Sequence, residues 1–291
     1  LKRLSLLGIC LVISIVFLGL PLKAEIKNEP VLSPKEAVTV VDYSSGVALF
    51  AKNQDVKLPP ASLTKLMTAL LTIERAKPSD IVTVGNEVLG LEGTQVRLAP
   101  GDRISVESLV YGLLLESGND AANVLAVYIS GSTDKFAQIM NERARSLGMI
   151  NTNFINPHGL PAVNHQSTAR DLGILARAAV QNNFIKSVVG TTKKEITWER
   201  KNGGRVQLQL ENTNKLLSVY PGVNGMKTGT SIEAGQCLIT YAQWEVGKVI
   251  IVLLNSANRY QDTTYWLDQT YRTLQVKRAG NLLVGNSWLS F

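Results

Sequence analysis

Behind Lys2 and Arg3 the chain runs almost wholly apolar from Leu4 to Leu20, then passes through Pro21, Leu22, Lys23 and Ala24. A basic start, an apolar core and a small residue at the end form the pattern of an export signal. Residues 1–24 are therefore expected to be a signal peptide cut after Ala24 or, because the run is slightly long for a signal core, a retained single membrane anchor. Residues 25–36 are polar, carry Pro30 and Pro34, and read as a lead-in arm. From Ala37 the pattern turns to short β-rich runs at 38–42 and 47–51 around Ser44-Ser45-Gly46, a hairpin signal. After Pro59-Pro60, residues 62–75 place Leu63, Leu66, Met67, Leu70 and Leu71 at helical spacing. Residues 106–129 are helical in pattern but interrupted at Gly118, which predicts two helices with Ser117-Gly118-Asn119 at the break. Capping residues open further helices at 133–147 and 168–180, and 157–165 reads as loop. The last third alternates as strands at 193–198, 205–210, 236–244 and 248–254, with Glu245-Val246-Gly247 turning a hairpin. A closing helix at 261–275 carries Trp266, Leu267, Tyr271 and Leu274.

Strands at both ends with helices between predict one α+β domain over residues 37–275, its terminal strands sharing an antiparallel sheet. Residues 276–291 are expected to form a tail without a second β domain. The tail's Leu282, Leu283, Val284, Trp288, Leu289 and Phe291 are expected to cover the core rather than to touch a membrane. The 291 residues are 45% hydrophobic and 18% charged, which excludes disorder, collagen and coiled coil. The net charge of +7 falls to +4 once Lys2, Arg3 and Lys23 are removed with the signal, a mild basic bias without a Lys/Arg run. Nucleic acid is not an expected partner. Of the two cysteines, Cys10 leaves with the signal, so no internal disulfide is expected and Cys237 reads as a packed strand residue. His158 and His165 lie in one loop, as in a partial zinc motif, but no third histidine exists to complete it; loop packing is the better reading, and no metal or cofactor is expected.

Three short segments carry candidate chemistry. Ser62 and Lys65 stand three apart on a helix, hence on one face. A serine hydroxyl needs a base, and a lysine serves only if burial or a neighbouring cation destabilises its ammonium. The same spacing recurs at Ser132 and Lys135, where a helix cap followed by a solvated lysine is the better reading. Ser117-Gly118-Asn119 sets a hydroxyl and a carboxamide on a tight turn, a pattern repeated at Ser256-Ala257-Asn258. Lys227-Thr228-Gly229-Thr230 offers a cation and two hydroxyls just ahead of a strand, with a glycine that lets a substrate backbone approach. A fixed ammonium flanked by hydroxyls suits a terminal carboxylate. In isolation each segment also reads blandly, as a cap with a surface lysine or as a solvated loop.

Taken in order, Ser-Xaa-Xaa-Lys, Ser-Xaa-Asn and Lys-Thr-Gly form the set shared by penicillin-binding proteins and serine β-lactamases. The chain resembles the low-molecular-mass penicillin-binding proteins, specifically the serine D-alanyl-D-alanine carboxypeptidases. The flanking words Pro60-Ala61-Ser62-Leu63-Thr64-Lys65-Leu66-Met67-Thr68, Ser117-Gly118-Asn119-Asp120-Ala121, Asn156-Pro157-His158-Gly159-Leu160, Ser167-Thr168-Ala169-Arg170-Asp171-Leu172 and Gly225-Met226-Lys227-Thr228-Gly229 carry the likeness across residues 34–275. It implies a β-lactamase/transpeptidase-like α+β fold, an antiparallel sheet flanked by helices with an all-helical region beside it and the cleft between. It implies Ser62 as nucleophile, Lys65 as base, Ser117 as proton relay, Asn119 as holder of the peptide amide, and Lys227 with Thr228, Gly229 and Thr230 as the carboxylate shelf. Arg259 is a further candidate for that shelf. The implied partners are peptidoglycan stem peptides and β-lactam antibiotics as covalent inhibitors, and the implied place of action is the periplasm or the outer face of the cytoplasmic membrane. A D,D-endopeptidase cutting cross-links is the nearest enzymatic alternative, and a non-catalytic penicillin sensor the alternative of another class. A class A β-lactamase is disfavoured because Gly118 stands where such enzymes carry Asp, and none of Glu142, Glu195 and Glu199 precedes an Asn by four residues.

Overall fold

The computed structural model describes residues 34–285, with side chains through residue 279. The expected signal, most of the lead-in arm and the side chains of the tail lie outside the described residues. The chain runs β1 (Ala37–Asp42), β2 (Ala48–Lys52), a 3-10 turn (Ala61–Thr64), α1 (Lys65–Arg75), β3 (Ile81–Thr83), β4 (Arg103–Ser105), α2 (Val106–Leu114), α3 (Asn119–Ser130), α4 (Thr133–Leu147), α5 (Ala169–Gln181), α6 (Asn183–Val189), β5 (Lys193–Glu199), β6 (Arg205–Glu211), α7 (Leu216–Val219), β7 (Val223–Ser231), β8 (Gly235–Trp244), β9 (Gly247–Ser256) and α8 (Arg259–Gly285).

Five strands form an antiparallel sheet in the order β2-β1-β9-β8-β7, so the first and last of the described strands meet in its centre at the β1–β9 pair. The alternating strand pattern sorts β9 between two cores. Ile250, Val252 and Leu254 face the larger core shared with α1 and α5, while Val249, Ile251 and Leu253 face Trp266 and Leu267 of α8. A strand buried on both faces reads as a continuous apolar run, as Val249–Leu254 does. Helices α1 to α4 pack together beside this sheet, and their apolar faces merge into the larger core. Hydroxyls cap the helix starts as the sequence pattern implies: the side chains of Ser105, Ser132 and Thr168 accept from the N–H groups of Ser108, Lys135 and Asp171. Ser132 is thus engaged as a cap.

Several expectations need correction. The strands at 193–199 and 205–211 do not join the main sheet; they pair with each other, and β5 pairs with β4, which pairs with β3, in a separate four-stranded sheet, β3-β4-β5-β6. Three-residue strands carry too little alternation to be visible in sequence. Lys227 to Thr230 lie within β7, not ahead of a strand. The polar, glycine-bearing string Val223–Ser231 has no strand signature of its own; pairing with β8 along Met226–Ser231 makes it one. Ser62 sits on a 3-10 turn, and α1 begins only at Lys65. The closing helix starts at Arg259 and continues to Gly285, past the expected end at Gln275.

Candidate active site

The 3-10 turn is set by its neighbours. Pro60 precedes it, and Ala61 adopts the left-handed region with φ +47, an uncommon conformation for a residue with a Cβ. The loop at 156–165 holds it from one side. Gly159, at φ +86, lies so close that a Cβ there would come within 1.9 Å of the Ala61 carbonyl oxygen. From the other side Gly229 of β7 presses in, and a Cβ there would stand 3.2 Å from the Ser62 amide nitrogen. The turn is clamped between two glycines, which presents the Ser62 hydroxyl at the cavity floor.

Lys65 is fully buried, and its Nζ lies 3.0 Å from Ser62 Oγ while donating to Asn119 Oδ1 and the His158 carbonyl, both at 2.7 Å; a neutral amine keeps these two donors and turns its lone pair to the Ser62 hydroxyl. Burial holds its ammonium well below the usual lysine range; Lys227 pushes the same way, and Asp120 opposes. This is the condition under which an amine can serve as a base near neutral pH. The two histidines pack around the start of α1. His165 Nδ1 accepts from the Ile155 N–H, so Nε2 carries the proton and donates to Thr64 Oγ1 at 2.9 Å. His158 Nδ1 accepts from the Leu160 N–H. Burial and then the Lys65 charge push the two imidazoles down to about 3 and about 4, so both are neutral.

Ser117 occupies the left-handed region, φ +67, between α2 and α3, and is almost fully buried. Asn119 opens α3 and ties three segments together: its Oδ1 accepts from Lys65, its Nδ2 donates to the Glu92 carbonyl at 2.7 Å, and its N–H donates to the Thr94 carbonyl at 2.8 Å. Across the cleft, Lys227 is 1% exposed and donates to the Thr228 carbonyl. Burial, followed by the Arg259 charge, pushes its ammonium down to about 7. Thr228 Oγ1 lies 2.7 Å from Thr213 Oγ1, and Thr230 Oγ1 accepts from Arg259. The Arg259 guanidinium also donates to the Gly229 and Cys237 carbonyls at 2.9 and 3.0 Å, which fixes this end of β7.

Ser62, Ser117, Thr213, Thr228, Thr230 and Arg259 line a cavity of about 530 Å³. Lys65, Asn119 and Lys227 lie buried next to these residues. The eight candidate residues read from sequence are thereby gathered at one place, together with Arg259. Sequence reading did not pick out Thr213, Asp120 as a bonded group, or the carbonyls of Glu92, Thr94 and His158. Backbone carbonyls carry no residue signature, whereas Asp120 directly follows Asn119 in the Ser117–Ala121 motif. Three basic side chains, Lys65, Lys227 and Arg259, are buried at the cleft, with Lys215 and Glu116 on its wall and the Asp120 carboxylate buried behind Asn119. A hydroxyl held against a buried amine, facing a cationic shelf, is suited to acyl transfer from a substrate that ends in a carboxylate.

Comparison with known proteins agrees with this geometry. The profile of the peptidase family S11, D-alanyl-D-alanine carboxypeptidase, matches residues 23–258. The D-alanyl-D-alanine carboxypeptidase DacF of Bacillus subtilis is 35% identical over 227 residues, which cover 76% of this chain and 57% of that protein. A D-alanyl-D-alanine endopeptidase of Pseudomonas aeruginosa is 32% identical over 255 residues, covering 87% of this chain and 78% of the relative. The solved structure of the Streptomyces K15 DD-transpeptidase superposes with a TM-score of 0.76 at 32% identity, covering 81% of this chain and 97% of that one. The chain spans little more than half the length of the curated carboxypeptidases it matches most strongly. The shared fold is the α+β, β-lactamase/transpeptidase-like one. On its motifs, its cleft and a family match over most of its length, the chain belongs to the D-alanyl-D-alanine carboxypeptidase family of serine peptidases, the low-molecular-mass penicillin-binding proteins.

Proposed function

We propose that the protein is an exported serine D,D-carboxypeptidase that removes the terminal D-alanine from peptidoglycan stem pentapeptides, acting in the periplasm or at the outer face of the cytoplasmic membrane. The observation that carries the reading is the buried Lys65 amine, 3.0 Å from Ser62 Oγ on the floor of the cleft. In this reading neutral Lys65 takes the Ser62 proton as Oγ attacks the carbonyl of the penultimate D-alanine. The backbone N–H groups of Ser62 and Thr230 hold the oxyanion, a contribution of about two to three orders of magnitude in rate. The C–N bond breaks while Ser117 passes a proton to the departing nitrogen, and an ester on Ser62 remains. Water then hydrolyses the ester, which returns the Ser62 hydroxyl and a shortened peptide. The second hydrogen of Asn119 Nδ2, beyond the one given to Glu92, holds the substrate amide. Lys227, Thr228 and Thr230 receive the terminal carboxylate, with Arg259 orienting Thr230 and Gly229, whose Cβ side is filled by the Ala61–Ser62 turn, letting that turn seat against β7.

β-Lactams acylate the same hydroxyl. Labelled penicillin is expected to attach to the wild-type protein and not to Ser62→Ala; attachment that survives the substitution would remove the assignment. Residues 25–291 are expected to release D-alanine from a pentapeptide ending in D-Ala-D-Ala, whereas acylation without release would mark a sensor. A second reading, cleavage of D,D-cross-links, is favoured by the Pseudomonas relative, of which the chain spans 78%. Intact cross-linked peptidoglycan, scored for free D-alanine against split dimers, separates the two.

A further inference from the structure

A strap at residues 92–98 crosses the Ser117–Asn119 turn and is tied to it along its length. The carbonyls of Glu92 and Thr94 accept from Asn119. Val96 packs so closely onto Gly112 and Gly118 that a Cβ on either would stand 2.6 or 2.8 Å from Val96 Cγ2. Gly93, at φ +77, lies against Asn119 Nδ2, which a Cβ would approach to 2.8 Å. Thr94 reaches the cavity itself. What secures the strap is the fully buried carboxylate of Asp120. Its Oδ1 accepts from the N–H groups of Val96 and Ala121, both at 2.9 Å, and its Oδ2 from those of Arg97 at 2.8 Å and Leu98 at 3.0 Å.

We propose that Asp120 is a positioning residue for the reaction: it clamps the 92–98 strap onto the Ser117–Asn119 turn and so holds Ser117 and Asn119 in place beside Ser62 and Lys65. The inference rests on the reading of Ser62 as nucleophile and Lys65 as base. A neutral side chain could not supply acceptors to four N–H groups in this way. An asparagine would keep one oxygen for one pair and turn an amide donor toward the other. The charge has a second consequence. The charged and titratable groups that face Lys65 are Lys227 from β7, Asp120 from α3, and the neutral His158 and His165 from the 156–165 loop. Among these Asp120 alone favours the ammonium form, so removing its charge lowers the proton affinity of Lys65 further.

The test is the pH dependence of acylation by a fluorescent penicillin, measured on the full chain alongside thermal unfolding. In Asp120→Asn, and in Asp120→Ser, which sets no amide against the strap, acylation should slow by about tenfold to a hundredfold. The acid limb of the profile should move to lower pH, since Asp120 favours the ammonium form of Lys65. Asp120→Glu and Gly93→Ala retain the charge but disturb the strap, and should slow acylation with the limb in place. Neutral variants that fold and are slowed with an unmoved limb would reduce Asp120 to a structural prop. Wild-type rates in both charge-retaining variants would remove the clamp. If neither neutral variant folds, the charge-retaining pair decides: slower acylation at an unchanged melting temperature supports the clamp, and wild-type rates overturn it. Failure of the underlying reading looks different, because the wild-type protein would then not be acylated, or Ser62→Ala would be.

Discussion

The proposed mechanism asks one lysine of this cleft to take a proton and another to keep one, and burial weakens the hold of both. Lys65 lies well below its usual range and Lys227 at about 7. In that mechanism Lys65 works neutral, so the rate is expected to rise with pH as it deprotonates. In the same mechanism Lys227 works charged, so substrate binding is expected to weaken as pH rises through about 7. KM for a peptide ending in a free carboxylate is therefore expected to climb above pH 7, while the same peptide ending in an amide shows no such limb. Steady-state kinetics of the pair across pH checks this; equal alkaline limbs for both would show that Lys227 does not read the carboxylate. Lys227→Ala should raise KM for the carboxylate peptide by about tenfold to a hundredfold, the scale of a lost charge-assisted hydrogen bond. A lower kcat would accompany it if the contact tightens in the transition state. At this scale the side chains that bear chemistry could be read from sequence only as an ordered set that resembles a family, since Ser-Xaa-Xaa-Lys recurs at Ser132 and Lys135 and Ser-Xaa-Asn at Ser256 and Asn258. Their partners could not: Lys65 is held in part by the carbonyl of His158, a group that every residue possesses.

The Ala61–Thr64 turn shows how elements place a group that no single element could. Its first residue has φ +47, and the close packing of Gly159 against it leaves no room for a side chain. Gly159→Ala adds a Cβ where the Ala61 carbonyl now lies and also strains a left-handed residue. The turn must shift, and with it Ser62. Penicillin acylation should fall by about a hundredfold or more, as displacement of reacting groups by an ångström typically does; an unchanged rate in a folded protein would show that the loop does not set the turn. The helices α1, α4 and α5 were visible in sequence because an amphipathic face repeats over several turns. The short α6 and α7 and the strand β7 were not, since four to nine residues of mixed polarity hold too few repeats to declare a period.

For the molecule as a whole, the sheet joins the first strand to the last, and α8 closes the outer face. Trp266 of α8 is 5% exposed and stacks on Phe50 of β2, ring centroids 3.9 Å apart, so the helix bonds the far edge of the sheet as well as its centre. Trp266→Ala should destabilise the protein by about 3–5 kcal/mol. The melting temperature should fall by on the order of 10 °C, with the penicillin-binding site intact in the fraction that remains folded. A loss below about 1 kcal/mol would show that α8 adds little to the sheet. Among the described residues no helix is long and apolar enough to cross a membrane. The sequence by itself determined the α+β class, the amphipathic helices and the three chemical segments, because periodicity and side-chain type are local properties. The tertiary structure alone decided that these segments share one cavity, that Lys227 to Thr230 lie inside an edge strand, and that the short β3 and β4 extend the β5–β6 hairpin, with β4 pairing to β5. Those outcomes depend on contacts between residues far apart in the chain, such as Ser62 with Gly229 and Asn119 with Lys65, whose energies appear only when the segments meet.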